Sequence, residues 1–421
     1  MHGISPGRLR LPRVLSKMAM TPLEFRMVKL TIITHSLLSP HRRNVKLFSV
    51  LLLVCWWLAG CSFSTTPALT STKTILPSNT LTTTQIPTST QSPTASITPR
   101  PSATPTKIRT STASPTMAPL DLFTTRVLRE GVQPQIYLED PCKYLQMRWS
   151  DEHSTPGTVV VPIMFHSIVQ NGTKVTDPKD ISADQFISFV NYARSLGFET
   201  ITSKEFLEFM MENASIPPRS MMIIVDDRRP GLIREWLVPV VEENDWTVTS
   251  AYIADPDSLK WAWDLMDQLF KSGRMEVQSH GYTGQLYIVP ETPVEQIQNE
   301  IWNSTAVLEE HFGTRPIAFI WPGGNFTPLS AQIAREGGYE LGFSAYSRGP
   351  LLFNWVPLGE EERAVKDPLM VLPRAWSSAV NVNLDEAVKI SELAAVFAEQ
   401  NFQNEADWYR TYCGGEISYN R

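Results

Sequence analysis

The chain has 421 residues, of which 42% are hydrophobic and 10% aromatic; this is globular usage with room for one large or two average domains. A formal net charge of -6 offers no basic field to hold a phosphate backbone, which excludes nucleic acid as a partner. Cys55, Cys61, Cys142 and Cys413 form no Cys-x-x-Cys pair, so zinc ribbons and thioredoxin-like redox chemistry are excluded, and any metal falls to histidine and carboxylate.

In chain order, His41, Arg42, Arg43 and Lys46 precede an apolar run from Leu47 to Leu58 that meets Ala59-Gly60-Cys61. A charged stretch, a short apolar stretch and small residues at a cleavage point predict a secretory signal. The run is short for a bilayer span of ~20 residues. Leu58-Ala59-Gly60-Cys61 resembles a bacterial lipobox, which implies a lipid on Cys61 and attachment to the extracytoplasmic face of a cell membrane. Residues 1–60 are therefore read as an N-terminal extension plus lipoprotein signal peptide, and a start at Met27 is one account of the residues upstream of the signal. The 32 prolines outnumber the 21 glycines because residues 61–120 are dominated by Ser, Thr and Pro. Such a composition buries too little apolar surface to offset its ordering entropy, which predicts a disordered spacer.

Residues 121–158 form a lead-in, after which strand-like and helix-like patterns alternate. The predicted strands are Val159 to Phe165, Phe198 to Ile201, Met221 to Val225, Val248 to Ile253, Met275 to Gln278, Ile317 to Trp321, Leu341 to Ser344 and Met370 to Leu372. The predicted helices are a segment capped by Ser182 and ending at Gly197, then Ser203 to Met211, Gly231 to Glu243, Lys260 to Lys271, Pro293 to His311 and Pro328 to Glu336. This alternation predicts an α/β fold with a parallel sheet curled into a barrel over residues 159–376. Residues 377–421 form an extension, helical from about Asp385, and an oxidising compartment would let Cys142 pair with Cys413.

In a parallel barrel the reactive residues sit at the C-terminal strand ends. There the sequence places His166, Asp226 and Asp227, His280, Pro322-Gly323-Gly324 and Arg374. Taken singly, each has a plain structural reading. An Asp pair after a strand is commonly a helix cap, a lone histidine is commonly a hydrogen-bonded structural group, His311 suits a helix C-terminus, and Trp261 and Trp263 suit packing.

Taken in order, the segments resemble the polysaccharide deacetylase (NodB-like, carbohydrate esterase family 4) domain. Met164-Phe165-His166 stands for its Tyr-His strand end and Val225-Asp226-Asp227-Arg228 for its Asp-Asp-Gly signature. Ser279-His280-Gly281-Tyr282-Thr283 stands for its histidine motif, Trp321-Pro322-Gly323-Gly324 for Tyr-Pro-Tyr-Gly, and Pro373-Arg374 for the late Pro-Arg. The resemblance covers Val159 to Arg374 and implies a distorted (β/α) barrel acting on a polysaccharide. It further implies a divalent metal (zinc, cobalt or nickel) on Asp227 and His280, Asp226 as base, the Gly323 N–H as oxyanion donor and Arg374 orienting the base. His166 would line the pocket, substitute as a ligand or serve as general acid.

The pattern also departs from the family. The second metal histidine is expected one helical turn after His280, where Gly284 and Gln285 stand, and the glycine after the Asp pair is Arg228. Two readings stay open: a metal-dependent hydrolase that removes N-acetyl or other acyl groups, and a carbohydrate-binding or scaffold lipoprotein that kept the barrel and lost the chemistry. A glycosidase-type barrel ranks below both, because such enzymes need two separated carboxylates.

Overall fold

The computed structural model describes residues 117–419 apart from 171 and 258. The signal, the lipobox with Cys61, and the Ser/Thr/Pro stretch up to residue 116 lie outside the described residues. The lead-in carries β1 (Gln133–Gln135) and α1 (Pro141–Arg148), followed by β2 (Val159–Phe165), β3 (Ser167–Val169), β4 (Asp180–Ser182), α2 (Ala183–Ser195), β5 (Glu199–Thr200), α3 (Ser203–Glu212) and β6 (Arg219–Val225). Next come α4 (Pro230–Leu232), α5 (Val238–Asn244), β7 (Val248–Tyr252), α6 (Lys260–Lys271), β8 (Met275–Ser279), α7 (Val294–Phe312), β9 (Ala318–Ile320), α8 (Pro328–Glu336) and β10 (Leu341–Phe343). The chain ends with β11 (Leu351–Leu352), β12 (Val356–Leu358), α9 (Glu360–Val365), β13 (Ala375–Trp376) and α10 (Val380–Tyr412).

β2 and β6 form the spine, pairing in parallel from Val159 opposite Arg219 to Phe165 opposite Val225. Both strands are apolar and almost wholly buried, as strands covered on two faces must be. Alternation divides their side chains between two cores: Val159, Val161, Ile163 and Phe165 pack with Phe186, Phe189 and Trp263, while Val160, Met222 and Ile224 pack with Phe206, Phe209 and Phe343. The parallel order β10-β9-β8-β7-β6-β2 collects the C-terminal strand ends along one rim. Helix starts are set locally by capping boxes, Ser182 with Gln185 for α2 and Thr202 with Glu205 for α3.

Three expected elements differ. Met370–Leu372 is not a strand; Pro368 opens a one-turn 3-10 helix, and only then does Leu372 bridge Phe343 of β10 while Ala375 and Trp376 pair with Ile163 and Met164 of β2. The segment 372–376 thus links β10 to β2 across the curl and carries Arg374 midway. The helix expected over Gly231 to Glu243 is interrupted by a π segment, Ile233–Leu237, just before Pro239. Proline has no N–H for the regular ladder, and the wider turn accommodates that loss. The last helix begins at Val380 and not near Asp385.

The lead-in and α10 pack on one another. A disulfide joins Cys142 of α1 to Cys413 just past α10, with Cα atoms 5.7 Å apart. The Trp149 indole N–H donates to Glu405 at 2.5 Å and the Arg148 guanidinium lies 3.2 Å from the same carboxylate oxygen. Gly157, at φ 93°, lets the chain entering β2 come so close to α10 that a Cβ would lie 2.7 Å from the Ser391 carbonyl oxygen. Replacing Cys142 and Cys413 together with serine is expected to lower stability by about 2–4 kcal/mol in urea titration, through loss of a long loop closure. An unchanged midpoint would mean that the Trp149–Glu405 packing fixes the helix without the bridge. Among the described residues no helix is long and apolar enough to cross a membrane.

Candidate active site

Asp226 is the first residue beyond β6, and its N–H donates to the Phe165 carbonyl at 2.9 Å, extending the β2–β6 ladder by one rung. The residue is 2% exposed. Its Oδ1 accepts from Arg374 Nη1 at 2.5 Å, and its Oδ2 lies 3.7 Å from His166 Nε2. Arg374 is itself 1% exposed and is fixed by a second bond from Nε to the Ser344 carbonyl at 2.8 Å. Burial pushes the Asp226 carboxyl up, but the Arg374 guanidinium, aided by His280 and His166, outweighs it and leaves the group below the usual carboxylate range. His166 is shifted the other way for a cation: burial lowers its pKa further than the charges of Asp226 and Asp227 raise it, so the ring is neutral at pH 7. That ring stacks on Trp376, with centroids 6.2 Å apart and planes at 11°.

Asp227 adopts the left-handed region at φ 67°, a conformation that aspartate tolerates better than most residues. Its carboxylate is a third exposed; Oδ2 meets Arg229 Nη2 at 3.1 Å and Oδ1 lies 3.7 Å from His280 Nε2. The Asp pair caps no helix, since Arg229 occupies the N-cap of α4 without a side-chain bond. His280 follows β8, buried at 4% exposure, and its Nδ1 lies 2.8 Å from the Ile320 carbonyl oxygen. A carbonyl only accepts, so Nδ1 carries a proton and Nε2 faces Asp227.

Beyond β9, Pro322 starts a one-turn 3-10 helix in which Gly323 (φ 63°) leaves helical geometry. Early in so short a turn, the Gly323 N–H has no intrahelical acceptor. A Cβ on Gly323 would overlap the ring of Tyr287, which lies against its backbone.

Residues 214–342 match the family model described as polysaccharide deacetylase. That segment is similar to the polysaccharide deacetylase family. The distorted (β/α) barrel around it is of the NodB type. Similar solved structures include the Streptococcus pyogenes deacetylase PplD in complex with acetate, at 17% identity over 56% of this chain and 99% of that one with a TM-score of 0.45. IcaB from Ammonifex degensii is similar at 19% identity over 58% and 99% of the two chains, TM-score 0.44. No curated protein matches the chain.

The barrel brings His166, Asp226, Asp227, His280 and Arg374 to one rim. It does not complete the family's metal set. Among the described residues no three His, Cys, Asp or Glu side chains converge as an ion's ligands. Where the second histidine is expected, Gly284 stands at φ 64° with the Ile253 side chain where a Cβ would go. Its N–H donates to Glu300 at 2.8 Å, and Thr283 binds the same carboxylate through N–H and hydroxyl. Gln285 gives its N–H to Thr283 Oγ1 at 3.2 Å. Asp227 and His280 thus supply two donors where a catalytic zinc site uses three protein ligands, so the residues present do not fit the expected ion. Gly284→His alone is expected to cost roughly 1–3 kcal/mol from strain and overpacking and to confer no zinc binding. Calorimetric titration with zinc checks this, and stoichiometric uptake by that variant would contradict it.

Other expectations resolve locally. Arg228 binds the Ile253 carbonyl at 2.9 Å and the Asp255 carbonyl at 3.1 Å, with its guanidinium over the Tyr252 ring. His311 bonds Asp267 at 2.8 Å and packs on the largely buried Trp263, whereas Trp261 is exposed. Sequence reasoning missed Tyr287, Ile253, Ser344 and Trp376. Trp376 alone had a local signal, standing two residues after Arg374 as the next side chain on one face of an extended segment.

Proposed function

We propose that the chain is a hydrolase that removes N-acetyl or other acyl groups from a polysaccharide outside the cytoplasm, tethered to a membrane by a lipid on Cys61. The observation that carries this reading is the buried Asp226–Arg374 pair, with His166 and His280 beside it, at the rim of a deacetylase-family barrel. Burying an ionised carboxylate costs several kcal/mol before its partner repays it. A carbohydrate-binding or scaffold role has no use for that arrangement, so the hydrolase reading is preferred.

The chemistry is written for this chain's own groups. Asp226, ionised across the neutral range, takes a proton from a water that attacks the acyl carbonyl carbon. Its depressed pKa keeps the base form populated at the expense of driving force. The Gly323 N–H donates to the developing oxyanion. When the tetrahedral adduct breaks its C–N bond, Asp226 returns the proton to the leaving amine, which yields a free carboxylic acid and an amino sugar. His166, neutral at pH 7, is unsuited to general acid and stands 3.7 Å from the far oxygen of Asp226. Arg374 keeps the carboxylate charged and aimed.

The test is acetate release by the intact, oxidised chain from poly-N-acetylglucosamine, chitin oligosaccharides and peptidoglycan. Release from at least one is expected, and none from any of them would contradict the reading. Cys61→Ser is expected to move the protein from the membrane fraction to the soluble fraction, and unchanged partition would remove the lipid tether.

A further inference from the structure

The two positions at which the rim departs from the family meet at one residue. Arg228, standing where the family has glycine, donates to the Ile253 carbonyl at 2.9 Å and to the Asp255 carbonyl at 3.1 Å. The Ile253 side chain fills the space that a Cβ on Gly284 would need. The loop beyond β6 is thus pinned on one side by Arg228 and on the other by the buried Pro230 that opens α4. Between those anchors Arg229 turns back on Asp227: its Nη2 donates to Asp227 Oδ2 at 3.1 Å and its Nη1 to Ser167 Oγ of β3 at 3.2 Å. The carboxylate that the family gives to an ion therefore already carries a cation, and the side chain that would complete the ion's ligands has no room at position 284.

We infer that Arg229 takes over the charge-balancing role of the family's ion, so that acyl hydrolysis at this rim proceeds without a resident divalent metal. The inference rests on the hydrolase reading. As Asp226 takes the proton of the attacking water, the bond from water oxygen to acyl carbon forms and negative charge collects on the acyl oxygen. Collapse of the adduct then breaks the C–N bond, and the proton passes to the amine. Through those steps an unpaired Asp227 would oppose the growing charge. Paired with Arg229 it does not, and the guanidinium, protonated at every working pH, neither gains nor loses a proton. Arg229 is a positioning residue in this scheme, acting through Asp227. Its side chain is 42% exposed, so its effect is that of a partly screened charge.

Acetate release by the intact, oxidised chain, measured after exhaustive chelation and again with added zinc, tests this alongside calorimetric zinc titration of the chelated protein. Release is expected to be the same in both states, and the wild type to take up no zinc. Arg229→Ala should lower turnover roughly 10–10²-fold with little change in substrate affinity, the scale of one partly screened charge near the reacting atoms. Arg229→Lys should keep most of the turnover. Guanidinium chloride below denaturing concentrations should restore part of what the alanine variant loses, a rescue that a merely structural arginine would not show. Stoichiometric zinc uptake by the wild type, release abolished by chelation, or wild-type turnover in Arg229→Ala would each overturn the inference and leave the hydrolase reading in place. No release under any of these conditions removes that reading and this inference with it.

Discussion

Arg374→Ala is expected to destabilise the fold by about 3–5 kcal/mol, because removing one member of a buried ion pair strands the other charge. Arg374 and Asp226 are both almost inaccessible to solvent, and the same guanidinium supplies the Ser344 carbonyl with its bond, so little water can replace what is lost. The sign of the pH dependence follows from the depressed pKa of Asp226. Its stabilisation is present above the pKa of the unfolded chain and is lost as pH falls through the lower folded value. In the alanine variant burial acts without its main opponent, so the carboxyl rises and the stability that Asp226 loses on acidification shrinks or reverses sign. Urea titrations across the acidic range check this. A variant with wild-type stability and an unchanged acid dependence would mean that the pair is not closed in solution.

Asp226→Asn is expected to lower turnover by roughly 10²–10⁴-fold, the usual contribution of a positioned base. Asparagine keeps an oxygen for Arg374 and a similar shape, so the loss should fall on turnover with little change in substrate affinity. A large loss of affinity with turnover preserved would place Asp226 in binding and not in chemistry.

The barrel was legible because its strands are buried on both faces. Val159 to Phe165 and Met221 to Val225 admit few other readings, and the helices between them carry caps such as Ser182. The Met370 to Leu372 stretch was misread because its apolar character comes from burial in a crossing. The Met370 carbonyl accepts from the Trp321 indole and sits so close to Gly342 that no Cβ fits there. The order of Asp226, His280 and Arg374 exposed the rim, since each follows or joins a strand. The meaning of Gly284 and Gly323 was not legible. The side chains that answer them, Ile253 and Tyr287, arrive by tertiary approach from other turns of the chain, and no local pattern announces such a contact.

The central claim is that Asp226 activates water at this rim, and single-turnover acetate release in oxygen-18-labelled water tests it most directly. Intact wild-type protein in excess over the acyl groups of the polysaccharide is predicted to give acetate with one solvent-derived oxygen, and Asp226→Asn to give almost none. Equal release from the two proteins, or none from the wild type, would contradict the account.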